Sequence, residues 1–314
     1  MLSGHERKLN VADPIAWAHH RGGWSAVVEH LSRTMHTTRG TLCLTAVEDV
    51  FHEAPDRTIE EPWVGFIHQV PKQTLRFPDL ERLVALPGFQ RSLKACRGLW
   101  SLTNYQRQFL RLSGIDVPIS VVRYPGDHCC PSFSIDEFRG GRRTLLLIGE
   151  FLRRYQTFYD LDAPNYRKIF LAYPGFDPQK YNLQTNESVH VRPRVSQAEY
   201  DELLSKSLVF LDLLDAGANT TVVECIIRNT PLLIRKIGGV PEYLGDNYPL
   251  YFDSTDEAAA LAADDQAIDD AHRYLNALPK DPFTYDGFSR AIQDSLVYRL
   301  LPCPAACVVP SDAN

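Results

Sequence analysis

A strand, a turn of small residues and a helix follow one another between residues 209 and 228. The apolar run 209–214 precedes the turn 215–220, and the helix begins near Thr221. The start of a helix offers N–H groups without intrahelical partners and the positive end of a dipole, which suits a diphosphate. Thr220 or Thr221 can add a hydroxyl donor, and Asn219 lies in the same turn. The spacing therefore predicts an anion-binding helix start.

Two further features extend this pattern. Glu224 lies one turn into the helix, where its carboxylate can accept hydrogen bonds from both vicinal hydroxyls of a ribose. Gly238 and Gly239 follow a second apolar run, residues 230–234, and glycine lets the backbone approach a ligand closely. Alternatively, Glu224 is a surface residue of an amphipathic helix and the glycine pair is a plain turn.

The elements that must position these residues alternate between strands and helices. Short apolar runs predict strands at residues 41–47, 63–68, 98–102, 119–124, 144–148, 168–172, 189–191, 208–213 and 231–234. Helical patterns cover residues 23–35, 80–86, 104–113, 197–206, 221–228 and 256–264. This alternation predicts an α/β protein with parallel sheets, whose ligands lie at the carboxyl ends of the strands.

The composition excludes several classes of protein. A length of 314 residues suits two domains, and 44% hydrophobic with 23% charged residues is typical of a globular enzyme. The net charge of -6, with scattered Arg, argues against nucleic acid as a partner. No run of about 18 apolar residues is present, and the first ten residues, mostly polar and charged, lack the apolar core of a signal peptide. We therefore expect a cytoplasmic protein without a transmembrane segment.

The second half resembles the nucleotide-sugar-binding domain of GT-B glycosyltransferases, especially the large retaining family 4. The resemblance rests on the order of the strand, the small-residue loop and the helix around Glu224, then residues 230–234, the segment Gly-Gly-Val-Pro-Glu from Gly238 and the Leu-Gly-Asp that ends at Asp246. It implies that Glu224 binds the ribose of the donor and that Gly238 and Gly239 close the next loop.

The flanks of this segment agree in part with the family. Arg153 and Arg154 follow the first strand, where the family has a Gly-Arg…Lys loop, so the resemblance implies that one of them holds the donor phosphates; Glu150 stands where the family has Arg. Family 4 also has two Glu with seven residues between them, and the first contacts the transferred sugar. Its counterpart here is Ala216, and the nearest acid, Asp215, is the candidate catalytic residue.

The first half resembles the family more loosely. Gly22 and Gly23 precede the helix 25–35, as in the glycine loop that faces the donor phosphates across the cleft of these enzymes. His68 ends a predicted strand, a position where GT-B enzymes often place a His near the reacting sugar. His68 is therefore the preferred catalytic candidate, with His19 and His20 as runners-up. The alternative is a His whose ring is satisfied by a backbone carbonyl.

Together these observations predict a GT-B fold of two Rossmann-like domains that face a cleft. Residues 1–130 would form the acceptor-side domain, 131–143 a linker and 144–300 the donor-binding domain, whose last helix crosses back to the first; residues 301–314 would be a disordered tail.

The resemblance implies a hexosyltransferase-like enzyme that uses a UDP-sugar or a GDP-sugar and transfers the sugar to an unknown glycan, protein or small molecule. Retention of configuration is expected, without a metal or a bound cofactor. The helix start and an Arg would stabilise the leaving nucleotide diphosphate, a role that a metal has elsewhere. Two alternatives are a nucleotide-sugar epimerase and a non-catalytic GT-B module; the missing first Glu favours the latter.

Overall fold

The computed structural model describes residues 7–17, 22–73, 78–193 and 195–304 of the chain. These residues form two parallel β-sheets, of five and six strands, with helices packed against them. The expected α/β class with two parallel sheets is therefore confirmed. His19, His20 and the tail beyond residue 304 lie outside the described residues. No helix within the described ranges is long and apolar enough to cross a membrane.

In the first sheet, neighbouring strands follow one another in chain order and are parallel. Its strands are β1 (Leu9–Asn10), β2 (Thr41–Leu44), β3 (Trp63–Ile67), β4 (Cys96–Ser101) and β5 (Ile119–Val121). The helices between them are α1 (Trp24–Met35), α2 (Val47–Glu53), α3 (Leu80–Ala85), α4 (Pro87–Ser92) and α5 (Asn104–Leu112). The carboxyl ends of all five strands therefore share one edge.

Strand β3 shows how the first sheet is covered on both faces. Val64 and Phe66 belong to the larger apolar core together with residues of α1, whereas Trp63 and Ile67 join a second core under α2 to α5. All five residues of β3 are buried. A strand buried on both faces has a continuous apolar sequence, and this is why its pattern predicts a strand. Its packing fixes the position of His68, the next residue.

In the second sheet, the strand order reverses. The chain continues through α6 (Ile135–Gly140), β6 (Thr144–Ile148), α7 (Tyr155–Asp160), β7 (Arg167–Leu171), β8 (Val189–Arg192), α8 (Gln197–Ser205), β9 (Ser207–Leu211), α9 (Thr220–Arg228), β10 (Leu232–Arg235), α10 (Val240–Leu244), β11 (Tyr251–Phe252), α11 (Thr255–Ala263) and α12 (Asp265–Ala277). The strand order is β11-β10-β9-β6-β7-β8. Connections leave β6 and β9 in opposite directions, so a crevice opens at their carboxyl ends.

Two parts of the chain connect the two halves: the segment between the two sheets, and the C-terminal helices. Phe133 and Phe138, before and within α6, are buried in the larger core beside the second sheet, and Phe133 N donates to Arg228 O at 2.7 Å. After α12 the chain forms α13 (Tyr285–Asp294) and α14 (Leu296–Arg299). These pack on the first sheet, where Trp100 Nε1 donates to Ser295 Oγ at 3.0 Å.

Several element boundaries differ from the sequence-based expectation. The predicted strand 41–47 ends at Leu44, and Val47 already begins α2. The last helix expected to cross back to the first domain is present as two helices, α13 and α14, separated at Ser295, whose backbone is extended and whose hydroxyl caps α14. The two-residue strands β1 and β11 were not expected, because a pattern of alternating or continuous apolar residues needs about four positions to be recognised.

Candidate functional site

A cleft of about 580 Å³ lies between the carboxyl ends of the two sheets. Loops of the first half, together with α2, form the first wall of the cleft. The loops that follow β6 and β9, together with α8 and the start of α9, form the second wall. This is the crevice expected from the reversal of strand order in the second sheet. Six of the candidate residues line it: His68, Arg153, Asn219, Thr220, Thr221 and Glu224.

Helix α9 points its N-terminus at the cleft. Asn219 is the N-cap residue, and its side-chain oxygen accepts from Val222 N at 3.3 Å. The N–H groups of the first helical turn have no intrahelical acceptors, and Thr220 and Thr221 line the cleft at this point. The predicted turn 215–220 thus delivers a helix dipole and hydroxyl groups to one place.

Glu224 is enclosed by residues of both halves and is only 5% exposed. Its Oε2 accepts from the Tyr200 hydroxyl at 2.6 Å. Burial, together with the charge of Glu224, raises the pKa of Tyr200 well above its ordinary value, so this hydroxyl keeps its proton and donates. A Cβ at Gly22 would lie 2.6 Å from Glu224 Oε1, so glycine allows the first half to approach this carboxylate. Gly23 is the N-cap of α1.

Arg153 places a buried positive charge on the wall of the cleft. Its side chain donates to Ile148 O at 3.0 Å and to Phe151 O at 2.8 Å, and Nη2 lies 3.4 Å from Thr221 Oγ1. Burial lowers the pKa of Arg153 to about 10, so it remains cationic at neutral pH. Within the described ranges, Arg153 forms no ion pair with a carboxylate. A buried cation of this kind suits an anionic ligand, because the ligand supplies the missing counter-charge.

Arg154, the neighbouring residue, does not line the cleft. Leu152 has a left-handed backbone with φ 58, and Arg153 then forms a bridge with Leu213. The Arg154 side chain therefore lies on the other side of this segment, 43% exposed, with Nε 3.7 Å from Asp212 Oδ1. Of the two candidate arginines, the structure brings only Arg153 to α9.

His68 lines the opposite wall in a neutral form. Its Nε2 lies 3.0 Å from Thr45 O, and its ring packs edge-on against Trp24 with centroids 4.3 Å apart. Burial lowers the pKa of His68 to about 4. Donation from Nε2–H to the carbonyl leaves Nδ1 as the acceptor nitrogen of the ring. The carbonyl contact is the alternative considered from the sequence, and it coexists with a position at the cleft.

Glu48 holds the backbone at this strand end. The residue is 2% exposed, and its Oε1 accepts from His68 N at 2.7 Å and from Gln69 N at 2.8 Å. Burial raises the pKa of Glu48 to about 7, although the hydrogen bonds from backbone N–H groups act in the opposite direction. Glu48 therefore positions the residues of the first wall without facing the cleft itself.

Asp215, Gly238 and Gly239 lie at the seam between the two halves and not among the residues that line the cleft. Asp215 Oδ2 accepts from the Tyr105 hydroxyl at 2.9 Å. A Cβ at Gly238 would lie 2.5 Å from Asp215 Oδ1, and one at Gly239 would lie 2.5 Å from Thr103 Cγ2. These glycines allow a close approach, as expected, but the approaching groups belong to the protein.

Three functional features were not recognised in the sequence. Tyr200 orients Glu224 from 24 residues away. Glu242 crosses the seam and accepts from Asn104 N at 2.7 Å and from Tyr105 N at 2.8 Å, at the N-terminus of α5. Trp17 joins the wall of the cleft beside His68. Glu242 belongs to the Gly-Gly-Val-Pro-Glu segment noted in the sequence. No local sequence pattern, however, indicates which distant residues Tyr200, Glu242 and Trp17 contact.

Metal-ligating side chains are not clustered in the part of the chain that the structure describes: no group of three or more His, Cys, Asp or Glu there could hold a metal ion. Metal independence stays a prediction.

Comparison with solved structures identifies the fold. HepE from Anabaena, in complex with UDP and glucose, matches with a TM-score of 0.66 and 13% identity over 92% of this chain and 98% of that chain. Sucrose-phosphate synthase from Thermosynechococcus elongatus matches with a TM-score of 0.59 and 12% identity over 93% and 87%. WaaG, a glycosyltransferase involved in lipopolysaccharide biosynthesis, gives 0.51 and 13% over 89% and 84%.

The chain therefore has the GT-B fold of these glycosyltransferases, as the sequence predicts. No protein-family model matches the chain, and no curated protein matches it in sequence. At 12 to 13% identity, the structural likeness shows the fold alone.

Proposed function

We propose that this protein is a glycosyltransferase whose donor, a UDP-sugar, binds in the cleft between a first domain (residues 1–130) and a second domain (residues 144–300). The observation that carries the proposal is Arg153, a buried guanidinium without an ion pair in the described residues, beside the N-terminus of α9. A diphosphate would supply the counter-charge. The cation and the helix dipole would then stabilise the charge that develops on the leaving nucleotide.

The ribose would bind at Glu224, whose orientation is fixed by Tyr200. The N-terminus of α1 at Gly22 and Gly23 faces this carboxylate from the first half. Support for uridine as the base comes from HepE, which was solved with UDP and with UDP-glucose. Asn219, Thr220 and the other groups at the start of α9 would contact the phosphates.

The transferred sugar would lie between the two walls, with His68 beside it. A neutral His68 whose Nδ1 is an acceptor can orient a sugar hydroxyl, but a pKa near 4 makes it a weak base at neutral pH. Asp215 accepts a hydrogen bond from Tyr105 at the seam, so we do not assign it a contact with the sugar. Retention of configuration remains part of the proposal, on the strength of the likeness to family 4.

The test compares two neighbouring arginines. Isothermal titration with UDP, GDP, ADP and UDP-glucose is carried out on the wild type, on Arg153→Met and on the matched control Arg154→Met, with thermal melts to verify folding. We expect selective UDP binding that falls about hundredfold in Arg153→Met, since a charge-assisted contact to phosphate is lost. The control stays within about twofold.

Turnover separates the enzyme from the non-catalytic alternative. Release of UDP from UDP-glucose, with or without an added acceptor, would support catalysis, and tight binding with no release would favour a binding module. An equal loss of affinity in both Arg variants, or no nucleotide binding at all, contradicts the assignment of the donor site.

A further inference from the structure

The proposed donor site leaves part of the first wall without a role. Trp17, Asp49 and Gln69 line the cleft beside His68, on the side opposite Arg153 and α9. They come from three separate segments: the loop after β1, helix α2 and the loop after β3. An aromatic ring, a carboxylate and an amide at one wall form a chemically distinct set.

Gln69 has a side chain that the fold does not use. Its backbone N–H donates to Glu48 Oε1 at 2.8 Å, and its carbonyl accepts from Gln106 Nε2 at 2.9 Å. Its side-chain Oε1 is buried and has no hydrogen-bond partner within the described residues. A buried acceptor without a donor is unfavourable, so this amide is suited to a donor that arrives with a ligand.

Asp49, like Gln69, has a side-chain acceptor that the described part of the fold does not use. The structure gives its half-buried carboxylate no hydrogen bond and no ion pair within the described residues. Burial, and then repulsion by Glu53, raise the pKa of Asp49, which indicates that its charge is poorly stabilised by the protein. A carboxylate with both oxygens available can accept hydrogen bonds from two vicinal hydroxyls.

Trp17 supplies the apolar component. Its ring stacks on the fully buried Trp24 with centroids 6.3 Å apart, and the ring of His68 packs edge-on against it at 5.0 Å. These contacts hold the indole in one orientation at the wall. An indole offers a large apolar face, which suits the C–H face of a pyranose.

We propose that Trp17, Asp49 and Gln69 form the acceptor subsite and that the acceptor is a neutral sugar with at least one pair of vicinal hydroxyls. This inference rests on the proposed function, because it assigns the second substrate of the same cleft. The two polar groups accept hydrogen bonds, as hydroxyl donors require, and the carboxylate disfavours an anionic acceptor. Among the lining residues that the structure describes, the only Arg or Lys is Arg153, which lies on the opposite wall and is assigned to the donor.

The test measures sugar binding apart from donor binding. Isothermal titration is performed with methyl α-glucoside, methyl α-galactoside and glucose 6-phosphate, each with and without saturating UDP. The variants are Asp49→Asn and Gln69→Leu, both close in size to the native residue; the matched control is Glu53→Gln, an exposed residue at the end of the same helix. The affinity of each variant for UDP is measured in parallel.

We expect a neutral glycoside to bind, and Asp49→Asn to weaken it about tenfold or more, the effect of losing hydrogen bonds to a charged group. Gln69→Leu weakens the same glycoside, and both variants fold normally and keep the UDP affinity of the wild type. Glu53→Gln leaves glycoside binding within about twofold, since removal of an exposed neighbouring charge has a small effect.

Three results would overturn the subsite: no glycoside binding in either condition, glycoside binding that neither Asp49→Asn nor Gln69→Leu affects, or a preference for glucose 6-phosphate. The first two, with UDP binding intact, leave the proposed function in place. Glycoside binding that is sensitive to Asp49→Asn, in a protein that binds no nucleotide, would support a sugar site and remove the glycosyltransferase assignment.

Discussion

The buried carboxylate of Glu48 makes the stability of this protein depend on pH in an unusual direction. Most native carboxylates titrate below their unfolded values, but burial raises the pKa of Glu48 from 4.5 to about 7. The folded state therefore binds this proton more tightly than the unfolded state does. Its contribution to stability is present below pH 4.5 and is lost as the pH rises through 7.

The size of the effect follows from the shift. One pKa unit corresponds to about 1.4 kcal/mol, so the ionised carboxylate lowers the free energy of unfolding by about 3 kcal/mol at pH 8. At about pH 5 the carboxylate is mostly protonated in the folded state, and the free energy of unfolding is lowered by only about 1 kcal/mol. Glu48→Gln does not titrate, and its amide oxygen can still accept from His68 N and Gln69 N as Oε1 does now. As the pH rises from about 5 to about 8, the free energy of unfolding of Glu48→Gln should therefore increase by about 2 kcal/mol relative to that of the wild type.

Urea unfolding followed by Trp fluorescence at about pH 5 and about pH 8 measures this difference. Groups that titrate identically in both proteins cancel in the comparison. Glu60→Gln, an exposed substitution outside this helix, serves as the control, and its difference from the wild type should hardly change with pH. A difference between Glu48→Gln and the wild type that is constant, or that shrinks toward high pH, would refute the reasoning.

Three further predictions concern the seam, the cleft and the need for a metal. Glu242→Ala removes the acceptor of Asn104 N and Tyr105 N, so we expect the free energy of unfolding to fall by about 2 kcal/mol and the affinity for UDP to weaken. An unchanged affinity for UDP in the less stable protein would show that these contacts between the two halves do not support donor binding. Tyr200→Phe removes the hydrogen bond to the buried carboxylate of Glu224 and should weaken UDP binding about tenfold, with a loss of about 1 to 3 kcal/mol in the free energy of unfolding, as titration and urea unfolding will show. Turnover of the donor should persist in excess EDTA, and loss of activity that Mg²⁺ or Mn²⁺ restores would contradict metal independence.

The sequence by itself determined the fold class and the second wall of the site. Strands such as Thr144–Ile148 and Ser207–Leu211 are buried on both faces, so their apolar runs are continuous and can be recognised locally. The turn before α9 and Glu224 within it are also close in sequence, and the spacing of one helical turn fixes their relation. Short-range geometry of this kind is encoded in consecutive residues.

Two things were decided only by the tertiary structure. One is which of two neighbouring residues of the same type faces the cleft, and the other is which residues distant in sequence contact one another. The sequence does not distinguish Arg153 from Arg154, but the left-handed backbone at Leu152 and the bridge between Arg153 and Leu213 turn only Arg153 toward α9. Asp215 is engaged by Tyr105, 110 residues away, and therefore lies at the seam. The partner and the orientation of a side chain depend on which elements the whole chain brings together, and no local pattern specifies that.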